Sequence, residues 1–348
     1  MDGFVHLHVH SHYSLLDGGN RIEDLVDTAK AHGSGAIAIT DHGNLFGAAT
    51  FYKTANKAGI KPILGIEAYI SPTTRQDRSM GNQKTAAYHL VLLAMNNTGW
   101  KNLMKLSSRA YMEGFYYKPR IDRELLRECN EGVICMSACL GGEIPQALMN
   151  NKPDEARKIA SEYLDIFGPD RFYIEIQNQG IAEQTAINPQ LVELAGELGV
   201  GIVGTNDVHF MTRSAKSSHE VLTCISTGKT LAENTSLHYP EELYLKSPEE
   251  MREAFKAWPE ACDNTLKIAE MCDAHIDFKS QYLPVFKTGN DQTDDEYLHD
   301  LAWKGLKERF EGKEIPEGYP ERLTRELQVI ADKKYSSYFL IVNDFVQY

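Results

Sequence analysis

The feature that most constrains the fold of this chain is a regular alternation of short apolar segments with longer amphipathic ones up to Gly204. The apolar segments have the length and β-branched composition of strands, and they are Phe4–Val9, Ala36–Thr40, Pro62–Ile70, His89–Ala94, Gly132–Met136, Arg171–Ile176 and Val200–Gly204. The amphipathic segments carry apolar residues at the three- and four-residue spacing of half-buried helices, and they are Ile22–Ala31, Ala48–Ala58, Gly99–Tyr111, Asp154–Phe167 and Glu183–Leu198.

This alternation predicts an α/β fold with a parallel sheet. Strand candidates that are apolar throughout, such as Ala36–Ile39, suit strands covered on both faces. A (β/α) barrel is therefore our first interpretation. An open doubly wound sheet is the alternative, but no G-x-G-x-x-G turn follows any of the strand candidates.

Composition and charge narrow the class of protein. Hydrophobic residues make up 42% and charged residues 24% of the 348 residues, as in an ordinary globular protein. No apolar run approaches the roughly 20 residues that cross a bilayer, and the six cysteines form no C-x-x-C pair, so we expect a cytoplasmic protein without a membrane partner. The net charge of −13 argues against a sequence-independent DNA clamp, which would need clustered Lys and Arg.

The pattern changes beyond Tyr239 to mostly helical segments. A loop with Pro284, Gly289 and the acidic run 291–296 is the best candidate for a domain boundary. We therefore predict one domain over residues 1–280 and a second part over residues 281–348. The chain stops shortly after the apolar run 338–342, so we also expect it to be a fragment.

His6, His8 and His10 alternate along the first strand candidate. Because strand side chains repeat every two residues, all three are expected on one face, the interior face in a barrel. Two such imidazoles can chelate one transition metal, and Asp17 can reach them from the following loop. An isolated histidine would more often be an ordinary core or surface residue, but three in alternation weaken that interpretation.

Further metal-ligand side chains lie at or near the ends of other strand candidates: Asp41 and His42, Glu67, His89, Cys139, and Asp207 with His209. In barrel enzymes the reactive groups gather at the carboxyl ends of the strands. His89 is the exception, because it begins its apolar run. Imidazole with carboxylate and one thiolate suits zinc, manganese or iron, and metals about 3.5–4 Å apart can clamp phosphate oxygens and activate water. The residues alone therefore predict phosphoester hydrolysis.

Several phrases of the sequence resemble a known family. They are His6-Leu-His-Val-His10-Ser, Asp17-Gly18, Thr40-Asp-His42-Gly, Gly65-Ile-Glu67, Tyr88-His89-Leu, Ser137-Ala-Cys139-Leu-Gly-Gly-Glu and Thr205-Asn-Asp207-Val-His209. Together they look like the polymerase-and-histidinol-phosphatase (PHP) domain. More narrowly, the chain is similar from end to end to the amino-terminal part of bacterial DNA polymerase III alpha subunits, through phrases at 115–122, 170–175, 222–228, 243–247 and 338–342.

The resemblance implies a distorted seven-stranded barrel of the PHP type that holds two or three divalent metal ions, zinc, manganese or iron. Carried over by position, one metal would take His8, His10, Glu67 and Asp207; a second would share Glu67 and add His89 and Cys139; a third would use Asp17, His42 and His209. Asp17, His42, Asp207 and His209 are also the residues expected to take part in catalysis. All nine ligand types are present.

The resemblance also predicts the nature of the segment after the barrel. Residues 281–348 would be a linker and the incomplete, mainly helical beginning of a polymerase palm. The palm carboxylates of the family lie beyond this chain, so Asp291, Asp294 and Asp295 are expected to form a solvated linker, and this chain alone is expected to have no nucleotidyl-transfer activity.

Three functions are compatible with this resemblance. The first is a metal-dependent 3′–5′ exonuclease that proofreads in DNA replication, with the DNA 3′ end and the rest of the polymerase subunit as partners, and a proofreading exonuclease subunit and a sliding clamp as further partners of the parent subunit. The second is a non-catalytic scaffold in which the metals stabilise the barrel and its surface docks the palm or a separate nuclease. The third is a small-molecule phosphatase, such as histidinol phosphatase.

Other residues receive more ordinary interpretations. Lys118 and Arg120, beside Tyr116 and Tyr117, could follow a DNA strand, although such a segment is more often an exposed loop. Glu175, within an apolar strand, could orient a ligand histidine. We expect solvated side chains at His32, His219, His238, His275 and His299, and small buried thiols at Cys129, Cys135, Cys224, Cys262 and Cys272.

Overall fold

A computed structural model describes residues 3–79, 87–233, 239–280, 284–289 and 291–348. The chain divides into two compact units, Met1–Ile276 and Asp277–Tyr348. The assignment of residues 1–280 to a metal-binding domain and of residues 281–348 to the start of a palm stays a prediction.

The first unit is built on one curled sheet of seven strands. They are β1 Ala36–Ile39, β2 Lys61–Ile70, β3 Tyr88–Ala94, β4 Arg120–Ile121, β5 Val133–Met136, β6 Phe172–Gln177 and β7 Gly201–Thr205. The order is β1-β2-β3-β5-β6-β7, and the short β4 pairs with β2 beside this path. The prediction of an α/β fold with a distorted seven-stranded barrel is confirmed, although β4 was not among the predicted strands.

The prediction of a wholly parallel sheet is wrong, because β3 runs antiparallel to both β2 and β5. The other strand pairs are parallel. Parallel neighbours need a long crossover, usually a helix, whereas antiparallel neighbours need only a loop. The described residues between β2 and β3 form no helix, which agrees with this reversal.

The segment Phe4–Val9, predicted as the first strand, forms no regular ladder, and with His10 it makes only single hydrogen bonds to the sheet. On one side, Ala38 N donates to His6 O (2.9 Å) and Thr40 N to Val9 O (2.8 Å). On the other side, His10 N donates to Val208 O (2.9 Å), beyond the end of β7. The segment thus joins the two edges of the curled sheet, which is why a chain with an irregular first strand still forms a distorted barrel.

The helices of the first unit are α1 Ile22–Ala31, α2 Ala48–Ala58, α3 Asn97–Glu113, α4 Arg123–Glu128, α5 Glu143–Met149, α6 Pro153–Phe167, α7 Ala182–Leu198, α8 Lys216–Thr227, α9 Pro248–Ala254 and α10 Pro259–Met271. Five of them, α1, α2, α3, α6 and α7, follow the predicted amphipathic segments closely, whereas α4, α5 and α8 were not predicted. Helices α2 and α7 end at Gly59 and Gly199, which adopt left-handed conformations (φ 77° and 67°) that glycine accepts without steric cost. The N-cap of α3 is Asn96, whose side chain accepts from Gly99 N.

Two apolar layers hold the first unit together. An outer layer packs the helices against the sheet, with residues such as Leu103, Tyr163 and Phe172. An inner layer, which includes Val91 and Ile134, fills one end of the curled sheet. The buried polar side chains His8, His10 and Glu67 lie outside this apolar layer.

The second unit contains helices α11 Asp294–Arg309, α12 Tyr319–Asp332 and α13 Ser336–Gln347. The prediction that Asp294 and Asp295 lie in a linker is wrong, because both belong to the first turn of α11, while Asp291 lies before it. Thr293 and Glu296 form a capping box there, and acidic residues are favoured at the positive end of the helix dipole. In the part of the chain that the structure describes, no helix combines the length and hydropathy needed to span a membrane.

Candidate metal centre

The nine predicted ligand side chains come together at the polar end of the curled sheet, around the completely buried carboxylate of Glu67. The Glu67 oxygens lie within 3.3 Å of His8 and His10, at 2.5 Å from His42 Nδ1 and at 2.8 Å from His89 Nδ1. The Cys139 Sγ is 3.8 Å from Glu67 Oε1. One buried carboxylate therefore contacts four imidazoles and a thiol.

The first group of potential ligands consists of His8, His10 and Asp207, whose ligand atoms lie within 4.8 Å of one another. Asp207 Oδ1 is 3.2 Å from His8 Nε2 and 3.0 Å from His10 Nε2. With Glu67 these are the four residues that the resemblance assigns to one metal.

A second group is formed by His42, Glu67 and His89. The Cys139 Sγ lies beside it, 3.6 Å from His89 Nδ1. This arrangement resembles the predicted second set, but His42, which the resemblance assigns elsewhere, is as close to Glu67 as His89 is.

The third group combines His10, His42 and His209. Asp17 Oδ2 is 3.4 Å from His42 Nε2 and 3.9 Å from His209 Nε2. Since His10 and His42 each belong to two groups, the nine residues form one continuous cluster, and the division into three ligand sets stays a prediction.

Strained backbone conformations, at Asp207 and at the residue before Cys139, set the direction of two of these side chains. Asp207, just beyond the end of β7, has φ 48°, and Ala138, between the end of β5 and Cys139, has φ 64°. For a residue with a Cβ this left-handed region has a steric cost, and such residues concentrate at functional sites. Both turns direct a ligand from a strand end toward Glu67.

The geometry of His8 indicates a cation. Its Nδ1 lies 2.7 Å from Glu175 Oε1, and because a carboxylate only accepts, Nδ1 must donate. In the neutral ring Nε2 then presents a lone pair, and it faces two more carboxylate oxygens, Glu67 Oε1 at 3.3 Å and Asp207 Oδ1 at 3.2 Å. Three acceptors can face one another this closely only if a proton or a metal ion lies between them.

His10 is held in the same manner through Ser14, which the sequence analysis did not single out, and through Asp41. Ser14 Oγ donates to Asp41 Oδ1 (2.9 Å), so His10 Nδ1, 3.0 Å from that hydroxyl, is the donor of the second bond. Its Nε2 lone pair then points at Asp207. Asp41 also accepts from the backbone and the hydroxyl of Ser11. In the sequence, the positions of Ser11 and Ser14 shortly after His10 could have indicated that these hydroxyls help to hold it.

The titration of the cluster reflects the same charges. Burial would lower the pKa of His8 and His42, but the neighbouring carboxylates raise both pKa values well above the usual histidine value. Burial would raise the pKa of Asp17, Glu67 and Asp207, but the surrounding histidines lower all three. Without a metal ion, protonated histidines therefore supply the positive charge that the carboxylates require.

The residues fit divalent metal ions. Four buried atoms of the cluster make no hydrogen bond among the described residues: His8 Nε2, Asp17 Oδ1, His42 Nδ1 and Glu67 Oε2. Three of them lie instead in the close histidine–carboxylate contacts given above, which a shared proton or a bound cation stabilises. The donor set of imidazole, carboxylate and thiol is the one that zinc, manganese and iron accept.

Asp17 is positioned by two residues from later in the chain. The Tyr239 hydroxyl donates to Asp17 Oδ2 (2.9 Å), and His219 Nε2 lies 2.6 Å from Asp17 O. The prediction that His219 is solvated is wrong, since its side chain is buried. It lies four residues before the buried Thr223 on α8, and this helical spacing was the signal that it faces the core.

Other predicted histidine positions have mixed outcomes. His6 does not share the face of His8 and His10, because the segment bends at His8; its Nε2 lies 2.9 Å from Lys246 O instead. His275 and His299 are exposed and His32 is half-buried, whereas His238 lies outside the described residues. The five remaining cysteines are buried and unpaired, as predicted: Cys129, Cys135, Cys224, Cys262 and Cys272.

The hypothesis that Arg120 follows a DNA strand is wrong. Its side chain is fully buried, and its guanidinium donates to the carbonyls of Gly114, Arg75 and Asp77. Lys118 is partly exposed, and its Nζ lies 3.4 Å from the hydroxyl of Tyr69. The ring of Tyr69 contacts those of His42 and His89.

Comparison with known proteins agrees with this site. The PHP domain family matches residues 6–179, and the family described as bacterial DNA polymerase III alpha NTPase domain matches residues 296–348. The DNA polymerase III subunit alpha of Borreliella burgdorferi is 45% identical over 348 residues, covering 99% of this chain and 30% of that protein. That of Treponema pallidum is 43% identical over 345 residues, covering 99% of this chain and 29% of that protein. That of Thermus aquaticus is 45% identical over 331 residues, covering 92% of this chain and 26% of that protein.

This chain thus spans less than a third of the length of these relatives. The matched region 6–179 contains seven of the nine clustered side chains, from His8 to Cys139, while Asp207 and His209 lie beyond it. On these grounds the chain belongs to the PHP domain family.

Proposed function

We propose that this chain is the PHP region of a bacterial DNA polymerase III alpha subunit and that its metal centre is a 3′–5′ exonuclease, which hydrolyses the terminal phosphodiester of DNA during replication. The observation that carries the proposal is the continuous cluster of Glu67 and eight further ligand side chains. The similarity to alpha subunits over nearly the whole chain supports DNA as the substrate.

The ligands proposed for two or three divalent metal ions are His8, His10, Asp17, His42, Glu67, His89, Cys139, Asp207 and His209. When bound, such ions would polarise phosphate oxygens and lower the pKa of a water molecule. The deeply buried His8, His10 and Glu67 have fully shielded side chains, so they can serve only as ligands.

The catalytic contacts are proposed for the side of the cluster that solvent reaches. The side chains of Asp17, Asp207 and His42 are 14%, 12% and 11% exposed, so a phosphodiester can approach them. His209 Nδ1 lies 2.8 Å from Asp207 O, which turns its Nε2 toward Asp17. In hydrolysis, water oxygen bonds to phosphorus while the bond to the 3′ oxygen breaks. His209 would take part in this step as a ligand through Nε2, and the leaving oxygen would take its proton from water.

The test is degradation of single-stranded and mismatched 3′ ends by the purified protein with added manganese or zinc. We expect Asp207→Asn to reduce the rate by at least about 100-fold and to reduce the metal content. Asp170→Asn, at an exposed aspartate before β6, is the matched control and should retain both. Equal degradation by the wild type and Asp207→Asn would refute the exonuclease assignment.

A metal-stabilised scaffold is the second candidate, favoured by the four buried atoms of the cluster that make no hydrogen bond among the described residues. In that case the same ligands stabilise the barrel, whose surface docks the palm or a separate nuclease. Chelation would then lower the melting temperature in a protein that never degrades DNA. An unchanged melting temperature after complete metal removal would argue against this role.

The partners proposed for this chain are the DNA 3′ end and the remainder of the alpha subunit. A proofreading exonuclease subunit and a sliding clamp are proposed only as partners of the parent subunit. Nucleotidyl transfer is assigned to that parent and not to this chain, so primer extension by the purified chain would contradict the proposal.

A further inference from the structure

A cavity of about 310 Å³ opens directly beside the metal centre. Two of its lining residues, Cys139 and Asp207, belong to the ligand cluster, so anything held in the cavity lies against the proposed site of hydrolysis. The volume corresponds to about ten water molecules, which is room for a bicyclic ring system and the nearest part of an attached sugar.

The lining excludes a phosphate as the occupant. No Lys or Arg is among the described residues that line the cavity, and its one carboxylate is Asp207, which faces His8 and His10. A phosphate without a cation beside it would be desolvated without compensation. The cavity therefore suits an uncharged part of a substrate whose phosphate lies at the metal ligands.

Part of the cavity lining is a hydrogen-bonded set of three side-chain amides, Gln177, Gln179 and Gln184. Gln184 Nε2 donates to Gln177 Oε1 (3.1 Å) and Gln179 Oε1 (2.5 Å). Gln177 Nε2 donates in turn to Glu175 Oε1 (3.0 Å), the carboxylate that holds His8, and Gln179 Nε2 donates to Asn206 O (2.9 Å). Each amide is fixed by its neighbours, and amide oxygens keep a second lone pair for a ligand donor.

The walls of the cavity are apolar and partly aromatic. Leu140, Ile181 and Leu243 contribute aliphatic surface, and Tyr239 contributes its ring. The ring is held in place, because its hydroxyl donates to Asp17 and the ring packs against those of His219 (centroids 4.8 Å apart, 89°) and His209 (5.3 Å, 44°). A lining that combines apolar side chains, one aromatic ring and side-chain amides matches a nucleobase, which has apolar faces and polar edges.

We propose that this cavity binds the nucleobase of the 3′-terminal nucleotide while its phosphodiester lies at the metal ligands. The inference rests on the proposed function and adds to it a subsite for the leaving nucleotide. Recognition through ring faces accepts every base, which a sequence-independent exonuclease requires.

The experiment compares a DNA strand that ends in an ordinary nucleotide with one that ends in an abasic residue. We expect the wild type to cleave the ordinary end with a kcat/KM at least about tenfold higher, since stacking of one base is worth a factor of this size or more. Ile181→Trp fills the cavity from a half-buried position at the start of α7 and should remove this preference, mainly by raising KM for the ordinary end.

Two controls test whether a lost preference results from the filled cavity and not from the added tryptophan itself or from lost metal. Val221→Trp adds the same side chain at an exposed position of α8 and should keep the preference. The metal content of both variants, measured by elemental analysis, should equal that of the wild type. If Ile181→Trp slows cleavage of both ends equally, or if the wild type cleaves both ends equally, the base subsite is refuted.

A binding measurement keeps this inference separate from the exonuclease proposal. Calorimetric titration of the metal-loaded protein should show that deoxyadenosine monophosphate binds at least about tenfold more tightly than 2-deoxyribose 5-phosphate. Failure of the wild type to cleave any DNA would refute the proposed function alone. Equal affinities for the two monophosphates would refute the base subsite.

Discussion

The Nδ1 atom of His89 lies 2.8 Å from Oε1 of Glu67, across the antiparallel pair of β3 and β2. His89 pairs with Tyr69, and Glu67 pairs with Val91, so both side chains project from the same face of the sheet at the same end. Because β3 is reversed, its first residues meet the carboxyl end of β2. Glu67 can therefore contact His89 and the histidines of the amino-terminal segment at once.

Glu67→Gln is expected to remove at least one equivalent of bound metal. The amide keeps the size of the side chain but loses the charge that the surrounding imidazoles and any cation require. Elemental analysis after dialysis against zinc or manganese measures the change. Glu193→Gln, at an exposed glutamate of α7, is the control and should leave the metal content unchanged.

Glu175→Gln is expected to weaken metal binding by about 10–100-fold without unfolding the protein. The carboxylate accepts from His8 Nδ1 and so keeps the Nε2 lone pair directed at Glu67 and Asp207, whereas an amide can donate to Nδ1 and reverse the tautomer. Competition with a chromophoric chelator measures the affinity. An affinity equal to that of the wild type would show that Glu175 does not orient His8.

Gly43→Ala is expected to destabilise the protein more than Gly33→Ala. Both glycines have positive φ (64° and 72°), so each substitution has the left-handed cost of about 1–2 kcal/mol. A Cβ at Gly43 would also lie 2.9 Å from the ring of Tyr69, which contacts His42 and His89, whereas a Cβ at Gly33 meets nothing within 4 Å. Urea unfolding measures the difference, and equal destabilisation would contradict the steric argument.

Glu113 is expected to contribute stability that depends on pH. Hydrogen bonds from Arg109 and Arg75 lower its pKa from 4.5 to about 2. Because the folded pKa is below the unfolded one, the contribution is fully present above about pH 4.5 and is lost as the pH falls toward 2.

Glu113→Gln should therefore lower the melting temperature by about 1–2 °C at pH 7, and the difference from the wild type should shrink between pH 4.5 and the lowest pH at which both proteins remain folded. Thermal unfolding followed by circular dichroism measures it, with Glu193→Gln as the control. A difference that stays constant through this pH range would show that the ionised carboxylate is not its cause.

Local patterns predicted much of the fold. The apolar periodicity of α1, α2 and α7 matches the observed helices because each depends on residues three and four apart, and the alternation of segments led to the α/β class. Strand direction is not a local property, so the reversal of β3 could not be predicted from its own residues.

Whether a single polar residue is buried or exposed likewise depends on contacts with residues far away in the sequence. Arg120 lies in a sequence typical of an exposed loop, yet its side chain is buried among backbone carbonyls, and the contact of His219 with the backbone of Asp17 joins residues 202 positions apart. The cavity beside the metal centre likewise combines residues from 139 to 243, which are far apart in the sequence.

The sequence by itself determined the chemical types of the proposed ligands and their places near strand ends, since residue identity and period are written in the chain. Only the tertiary structure decided that Glu67 lies at their centre, that His6 is excluded and that His10 and His42 are shared between groups. The physical reason is that these relationships depend on the closing of the sheet by segment 4–10 and on the direction of β3, which long-range hydrogen bonds set.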